Sequence, residues 1–311
     1  MFAHRYLKSA DFERVFSILR ERFAFEGADR ARLIALWTDL FRTQSCHTVG
    51  VDDRRRPPET RLVGFGMSVF ATDDFTERVL AGRPFLSRAF LERWESGPRP
   101  FLTKKEVADA NAGDGLNLII LHYGWCPDVS PADMTPIQML QTERFMYEHA
   151  GYFTKDYVHE VFGSALRDFM SGSGMRVKQD YREDKWREAL ADVSEENWPY
   201  LFAHGAETSA AGTLASMFRS KVVRPRFRFS PGEQQMLLLA LEGRSDDDLA
   251  DALGISAWTV KKRWQSVYAK VEAIDPSVVA PHEDEKLRQR RRFLLAYLRE
   301  HLEELRPFRN R

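Results

Sequence analysis

The sequence predicts a two-part chain: an N-terminal α/β domain with a mixed sheet, then an all-α helix–turn–helix domain with an extra long C-terminal helix. Three observations predict it. The run LNLIILHY at 116–123 is apolar enough for a central strand. Residues 229–272 place capped amphipathic helices around a glycine turn. Residues 283–305 carry a leucine stripe preceded and followed by prolines. The boundaries that follow are an α/β domain over 1–182, a linker segment with helices over 183–228, the helix–turn–helix over 229–275 and the C-terminal helix over 276–311.

The elements follow in order. Residues 9–25 form a capped amphipathic helix with Val15, Phe16, Ile18, Leu19 and Phe23 on its apolar face, and 30–41 form a second. Residues 45–51 alternate and are rich in β-formers, 52–60 are a charged Pro-bearing turn, and 61–72 are the next strand, so the three make a hairpin. Residues 73–105 mix helix and loop. After the strand at 116–123 comes a loop over 124–136 holding three prolines, then helices over 137–151 and 155–171. Ser171-Gly-Ser-Gly174 is a turn, 175–181 a closing strand, 184–191 a short polar helix, 197–220 a mixed segment and 221–228 a basic stretch.

Composition sets bounds. The 311 residues suffice for two domains, and 43% hydrophobic content supplies a sizeable core. Lys plus Arg equals Asp plus Glu at 46 each, so any affinity for a polyanion must come from a local basic patch. Two cysteines, Cys46 and Cys126, imply no disulfide framework and fit a reducing compartment. The first residues hold no apolar run of signal length and no segment reads as membrane-spanning, so the expectation is a cytoplasmic protein with no membrane partner.

Within 229–272, Ser230-Pro231 opens a helix carrying Met236, Leu237, Leu239, Ala240 and Leu241, and Gly243 ends it. Ser245 caps a second helix with Asp248 three residues on, and Gly254 turns the chain. Ser256 caps a third helix with Val260, Trp264, Val267, Tyr268 and Val271 inward and Lys261, Lys262, Arg263, Gln265 and Lys270 outward. These residues, with Glu233, Glu242-Gly243, Leu249-Ala250, Leu253-Gly254-Ile255-Ser256 and Thr259-Val260-Lys261, make the segment resemble the DNA-binding domain of LuxR/NarL transcription regulators. The resemblance implies a double-stranded DNA partner, with Trp258, Thr259, Lys261, Lys262, Arg263, Gln265 and Lys270 as the contact residues, and homodimers on paired half-sites. Trp258, at the start of that helix, either stacks on sugar or base or covers the first helix. The stripe Leu287, Leu294, Leu298, Leu302 and Leu305 serves either self-association or folding back onto its own domain.

The N-terminal order of elements resembles the acyl-CoA N-acyltransferase (GNAT) fold; a PAS- or GAF-like sensor or another α/β sensor is the rival. The GNAT family holds its cofactor's pyrophosphate on bare amides at a helix N-terminus after the central strand. Here Gly124-Trp-Cys-Pro-Asp-Val-Ser-Pro131 follows that strand, and its prolines lack amide donors. The expectation is therefore a domain without its acetyl-CoA loop, with no cofactor and no enzymatic activity.

Other chemistry is weighed against packing. His122 and Cys126, with Cys46-His47, have metal-ligand character but no regular spacing of pairs, so no metal is expected. Glu143, Tyr147, Glu148 and His149 share one predicted helix and could do acid–base work, or form its solvated face. Trp37, Phe65, Phe70, Tyr123 and Trp125 are the candidates for a ligand pocket, with ordinary core as the alternative. Together these features predict a sequence-specific DNA-binding transcriptional regulator whose N-terminal domain senses an unidentified effector. The alternatives are an acyltransferase fused to a DNA-binding module, or a helix–turn–helix adaptor that binds protein.

Overall fold

A computed structural model of the chain describes residues 1–25, 27–205, 222–279 and 287–309. Among them seven strands form one sheet in the order β1-β2-β3-β4-β5-β7-β6. These are β1 (Phe2–Arg5), β2 (Cys46–Asp53), β3 (Leu62–Ala71), β4 (Leu116–Trp125), β5 (Thr154–Phe162), β6 (Val177–Gln179) and β7 (Pro199–Gly205). The β4–β5 pair is parallel and all other pairs are antiparallel.

One face of the sheet is covered by α1 (Phe12–Ile18) and α2 (Ala28–Thr43), with α3 (Asp73–Ala81) and α4 (Leu86–Ser96) extending that layer. The other face carries α5 (Lys104–Asn111), α6 (Pro131–His149) and α7 (Ser164–Gly172). Helix α6 crosses β3 at Gly64, where a Cβ would lie 2.9 Å from Ile137 and 3.2 Å from Gln141. Only a glycine allows that approach.

Three sequence expectations change here. The segment 155–171, expected as one helix, is strand β5 followed by α7. Its residues are buried on both faces, so the alternation that marks a half-exposed strand is missing. Strand β7, unrecognised in the mixed stretch 197–220, inserts between β5 and β6, so the sheet runs past residue 182. Helix α6 begins at Pro131 inside the expected loop: Ser130 caps it and Pro131 takes its first turn, where no amide is required. The rest of the 197–220 segment, the first residue of the basic stretch at 221 and the start of the helix expected from 283 lie outside the described residues.

The remaining helices are α8 (Pro231–Leu241), α9 (Asp246–Leu253), α10 (Ala257–Ile274) and α11 (Leu287–Glu300), the last followed by a 3-10 turn (Leu302–Leu305). Ser230 with Glu233, and Ser245 with Asp248, form reciprocal capping boxes, and Gly254 ends α9 at φ 62°. Met236, Leu237, Leu249, Val260, Trp264, Val267 and Val271 share one core with Leu294, Leu298, Leu302 and Leu305. Leu294, Leu298, Leu302 and Leu305 of the stripe are thus consumed within their own chain and offer no free apolar face at these four positions.

This helical module sits on the end of α6. Arg306, 2% exposed, donates to the carbonyls of Ala150 and Tyr147 at 2.8 and 2.6 Å, which satisfies groups that the end of α6 leaves unpaired. Gly151, at φ 88°, lies under the backbone of Leu302 and Glu303, where a Cβ would come within 2.5 Å. Among the described residues no helix is long and apolar enough to cross a membrane.

Candidate functional site

The site begins with a gap in the sheet. Strands β4 and β5 pair only from Leu116↔Thr154 to Ile120↔His159, although they run on to Trp125 and Phe162. Their C-terminal ends are not paired with each other. A bulge in β4 contributes: Ser68 pairs with Ile120 but Met67 pairs with His122, leaving Leu121 as the extra residue. The extra residue reverses the alternation of side chains. His122 therefore joins the α1/α2 side, where its Nδ1 lies 2.7 Å from Glu21, and Tyr123 joins the α6/α7 side.

Beside this gap a cavity of about 680 Å³ lies between the sheet and helices α6 and α7. Its cause is local. Strand β3 presents Gly66 and Ser68 toward α6, while Val63, Phe65 and Val69 turn to the opposite core. Small residues on one face leave room that α6 spans without filling. Phe145, Met146 and Met170 form apolar walls, and Met139 and Phe169, 67% and 43% exposed, flank the mouth.

The polar groups fall in two sets. Near the gap, Tyr157 Oη is 3.2 Å from His159 Nδ1, and Tyr123 stands beside them with ring centroids 6.0 Å from His159. Burial pushes the His159 imidazole down to about 3, so it is neutral near pH 7, and burial raises the Tyr123 and Tyr157 phenols, so both stay protonated. At the far end, Ser68 Oγ is 2.8 Å from His149 Nε2, whose Nδ1 lies 2.7 Å from the Phe145 carbonyl. Burial, with the neighbouring His47, holds His149 down at about 3. Glu148 is buried, which opposes its charge, yet His47 at 3.7 Å and Arg144 at 2.6 Å hold its carboxyl at about 2.

The opposite face of the gap is closed. Glu160 accepts the amides of Phe85 and Leu86 at 2.9 and 2.8 Å, and burial pushes its carboxyl up to about 8. His122 Nε2 and Trp37 Nε1 are both buried without a hydrogen-bond partner.

The five pocket candidates divide. Tyr123 lines the cavity; Trp37, Phe65 and Trp125 belong to the core under α1 and α2. Phe70 packs against His47, His149 and Tyr152 without lining the cavity. Large aromatics fill cores, and the cavity exists where they are absent. Glu143, Glu148 and His149 line it, whereas Tyr147 packs against the C-terminal module. Sequence reasoning missed His159 and Tyr157, because it placed both on a helix, and it missed Ser68. The signal for the cavity was present in RLVGFGMSVFAT, where Gly64, Gly66 and Ser68 alternate with Val63, Phe65, Met67 and Val69.

On α10 the expected contact residues also divide. Trp258 is 66% exposed with the Lys262 ammonium 5.4 Å from its ring centroid, so it does not cover the first helix. Lys261, Lys262 and Gln265 are exposed, and Thr259 is half-buried. Arg263 and Lys270 turn inward instead: Arg263 Nη1 donates to the Gly232 carbonyl at 3.2 Å, and Lys270 lies 2.5 Å from the buried Glu233. Of the acidic triplet, Asp246 accepts from Trp264 and Arg291, and Asp248 caps α9.

No family model matches the sequence, and no curated protein matches it. Solved structures similar to it include NAA60 of Arabidopsis thaliana in complex with acetyl-CoA, at TM-score 0.41 and 14% identity over 66% of this chain and 98% of that one. FeeM, an N-acyl amino acid synthase from uncultured soil microbes, gives TM-score 0.38 and 10% identity over 70% and 99%. The PaiA N-acetyltransferase of Thermoplasma acidophilum in complex with coenzyme A gives 0.33 and 12% over 66% and 99%. The N-terminal domain is a mixed-sheet α/β domain, consistent with the GNAT resemblance. The expectation that the chain is not an enzyme stands against these likenesses, which include an N-acetyltransferase and an N-acyl amino acid synthase. Scores and identities this low describe a shared sheet plan, not a shared site.

The GNAT resemblance would imply coenzyme A, and the residues here do not fit its pyrophosphate. In the first turn of α6, Pro131 has no amide hydrogen and the Asp133 amide is taken by Ser130 Oγ at 3.2 Å. The carboxylates of Asp133 and Asp128 stand beside that turn, held by Arg55 at 3.1 Å and Arg56 at 2.9 Å. A helix N-terminus that is already capped, and whose neighbouring arginines are held by Asp133 and Asp128, offers a phosphate little. Among the described residues no three His, Cys, Asp or Glu side chains come together as a metal site would need.

Proposed function

We propose that the N-terminal domain is an acyltransferase that takes an acyl thioester in the cavity between β4/β5 and α6/α7 and passes the acyl group to an amine. The observation that supports this most directly is the coincidence of the β4–β5 gap with the 680 Å³ cavity, with His159, Tyr157 and Tyr123 where they meet. Unpaired strand ends offer backbone donors and acceptors to an extended substrate, and the cavity takes its apolar part.

The chain's own residues supply the chemistry. With Tyr157 Oη–H donating to His159 Nδ1, the neutral imidazole carries its proton on Nε2. That N–H donates to the thioester carbonyl oxygen as negative charge develops on it. The amine nitrogen bonds to the carbonyl carbon and the carbon–sulfur bond breaks. The departing sulfur takes the Tyr123 proton, and Tyr123 recovers one from the amine. The test is thiol release by the full chain from acyl thioesters with and without amine acceptors. His159→Ala is expected to lower kcat by about 10²–10³ while thioester binding persists. Full activity in that variant removes His159 from the mechanism, and no turnover with any thioester removes the acyltransferase reading.

A second reading applies to the C-terminal module, which we propose contacts double-stranded DNA. Supporting it are the exposed Trp258, Lys261, Lys262 and Gln265 on one side of α10, a helix whose other side is fully committed to its own core. Selection of bound duplexes from a random pool by the full chain tests it; recovery of no preferred sequence and no salt-dependent binding removes it.

A further inference from the structure

The cavity and the first turn of α6 differ in what they accept, and the difference identifies the donor. We infer that the substrate is a medium-to-long-chain acyl thioester, selected through its hydrocarbon chain and not through a diphosphate handle. The inference rests on the acyltransferase reading and specifies which donor that site takes.

Three observations carry it. First, an acetyl group needs little of the 680 Å³ available, whereas a chain of roughly eight to twelve carbons occupies several times more of it and fits without crowding. Second, the walls are built for such a chain. Phe145, Met146 and Met170 line the interior, and Met139 and Phe169 stay exposed at the mouth. Unbranched, polarizable methionine side chains adapt to a flexible ligand better than branched ones do. Third, the place where a phosphate-bearing carrier would be gripped is blocked. Pro131 brings no amide, Ser130 takes the Asp133 amide, and Asp133 and Asp128 pair with Arg55 and Arg56, so the start of α6 offers a phosphate little. Binding free energy must then come from buried methylenes.

The test is a ladder of N-acetylcysteamine thioesters from acetyl to dodecanoyl, titrated into the full chain without amine. Each methylene from butanoyl to about decanoyl is expected to tighten Kd roughly fourfold, with a plateau once the cavity is full. The coenzyme A thioester of the same chain is expected to bind no tighter than its N-acetylcysteamine counterpart. In the double variant Asp128→Asn, Asp133→Asn the coenzyme A thioester should gain several-fold, while the N-acetylcysteamine series stays unchanged. Both positions flank the helix without entering a core, so folding is preserved; circular dichroism checks this. A flat ladder, or a coenzyme A thioester binding more than tenfold tighter than its counterpart, overturns the inference and leaves acyl transfer standing. Binding of no thioester at any length overturns the acyltransferase reading as well.

Discussion

Ile119 and Ile120 are neighbours on β4, yet they face different interiors. Ile119 is sealed among residues of α1, α2 and β3, while Ile120 borders the cavity under α6. The same division runs along β5, where Val158 and Glu160 turn to the closed side and Tyr157 and His159 to the open one. On the closed side large side chains interdigitate and even the polar groups are locked, as Glu160 is by two amides. On the open side β3 offers Gly66 and Ser68, and the space is left to a ligand. One sheet can therefore support two jobs, because strand alternation lets each face be composed independently.

The largest effect that would sharpen this contrast is a matched pair of truncations. Ile119→Ala should cost about 4 kcal/mol, near the top of the range for core isoleucines, because its neighbours cannot collapse around the hole. Ile120→Ala should cost about 2 kcal/mol or less, since one side of Ile120 already faces space. Urea denaturation of both variants measures this, and equal losses would mean the cavity is filled in solution.

Next in size is the junction with the C-terminal module. Arg144 bridges Glu148 on the cavity wall and Glu242 at the end of α8, at 2.6 and 2.7 Å, and Tyr6 Oη bonds Glu148 at 2.9 Å. Arg144→Met leaves the buried Glu148 and the half-buried Glu242 carboxylates without their shared cation and should cost about 3 kcal/mol. Hydrogen exchange should locate the loss in α8 and residues 302–309. Loss confined to α6 would show that the module docks without this bridge.

The two faces should also titrate in opposite directions. His149, beside His47 and Glu148, and His159, beside Tyr157, resist protonation down to about 3, whereas unfolded histidines take a proton near 6.5. Their stability is present above pH 6.5 and is lost as pH falls toward 3, by about 1.4 kcal/mol per pH unit for each. Glu160, beside Glu21 and Tyr181, stays protonated up to about 8 but ionises near 4.5 when unfolded. Its contribution is present below pH 4.5 and is lost as pH rises through 8. The two variants should therefore change the slope of stability against pH with opposite sign: His149→Asn removes a loss that grows as pH falls from 6.5 toward 3, and Glu160→Gln removes one that grows as pH rises from 4.5 to 8. Slope changes of the same sign would break the division.

The smallest effect concerns α10. Lys262→Ala should lower the salt slope of DNA binding by about one unit, and Arg263→Ala, whose side chain is tied to Gly232, should leave that slope unchanged. A drop in slope for Arg263→Ala alone would mean that α8 releases it on binding.

The sequence by itself determined the helical module almost in full. Ser230, Ser245 and Ser256 cap their helices, Gly254 turns the chain, and Val260, Trp264, Val267 and Val271 lie inside, because caps and helical periodicity are local signals. It also determined β2, β3 and β4. The tertiary structure decided the rest. Strand β5 is buried on both faces and carries no alternation, so only its pairing with β4 and β7 fixed it as a strand. The stripe Leu294, Leu298, Leu302 and Leu305 could serve a partner or its own domain, and only the packing assigned it inward. Tyr123 entered the site through the β4 bulge and His159 through the ending of the β4–β5 pair, whereas the small residues that leave the cavity open show as an alternation within β3. The bulge and the strand ending are relations between segments far apart in the chain, and no local pattern of residues encodes them.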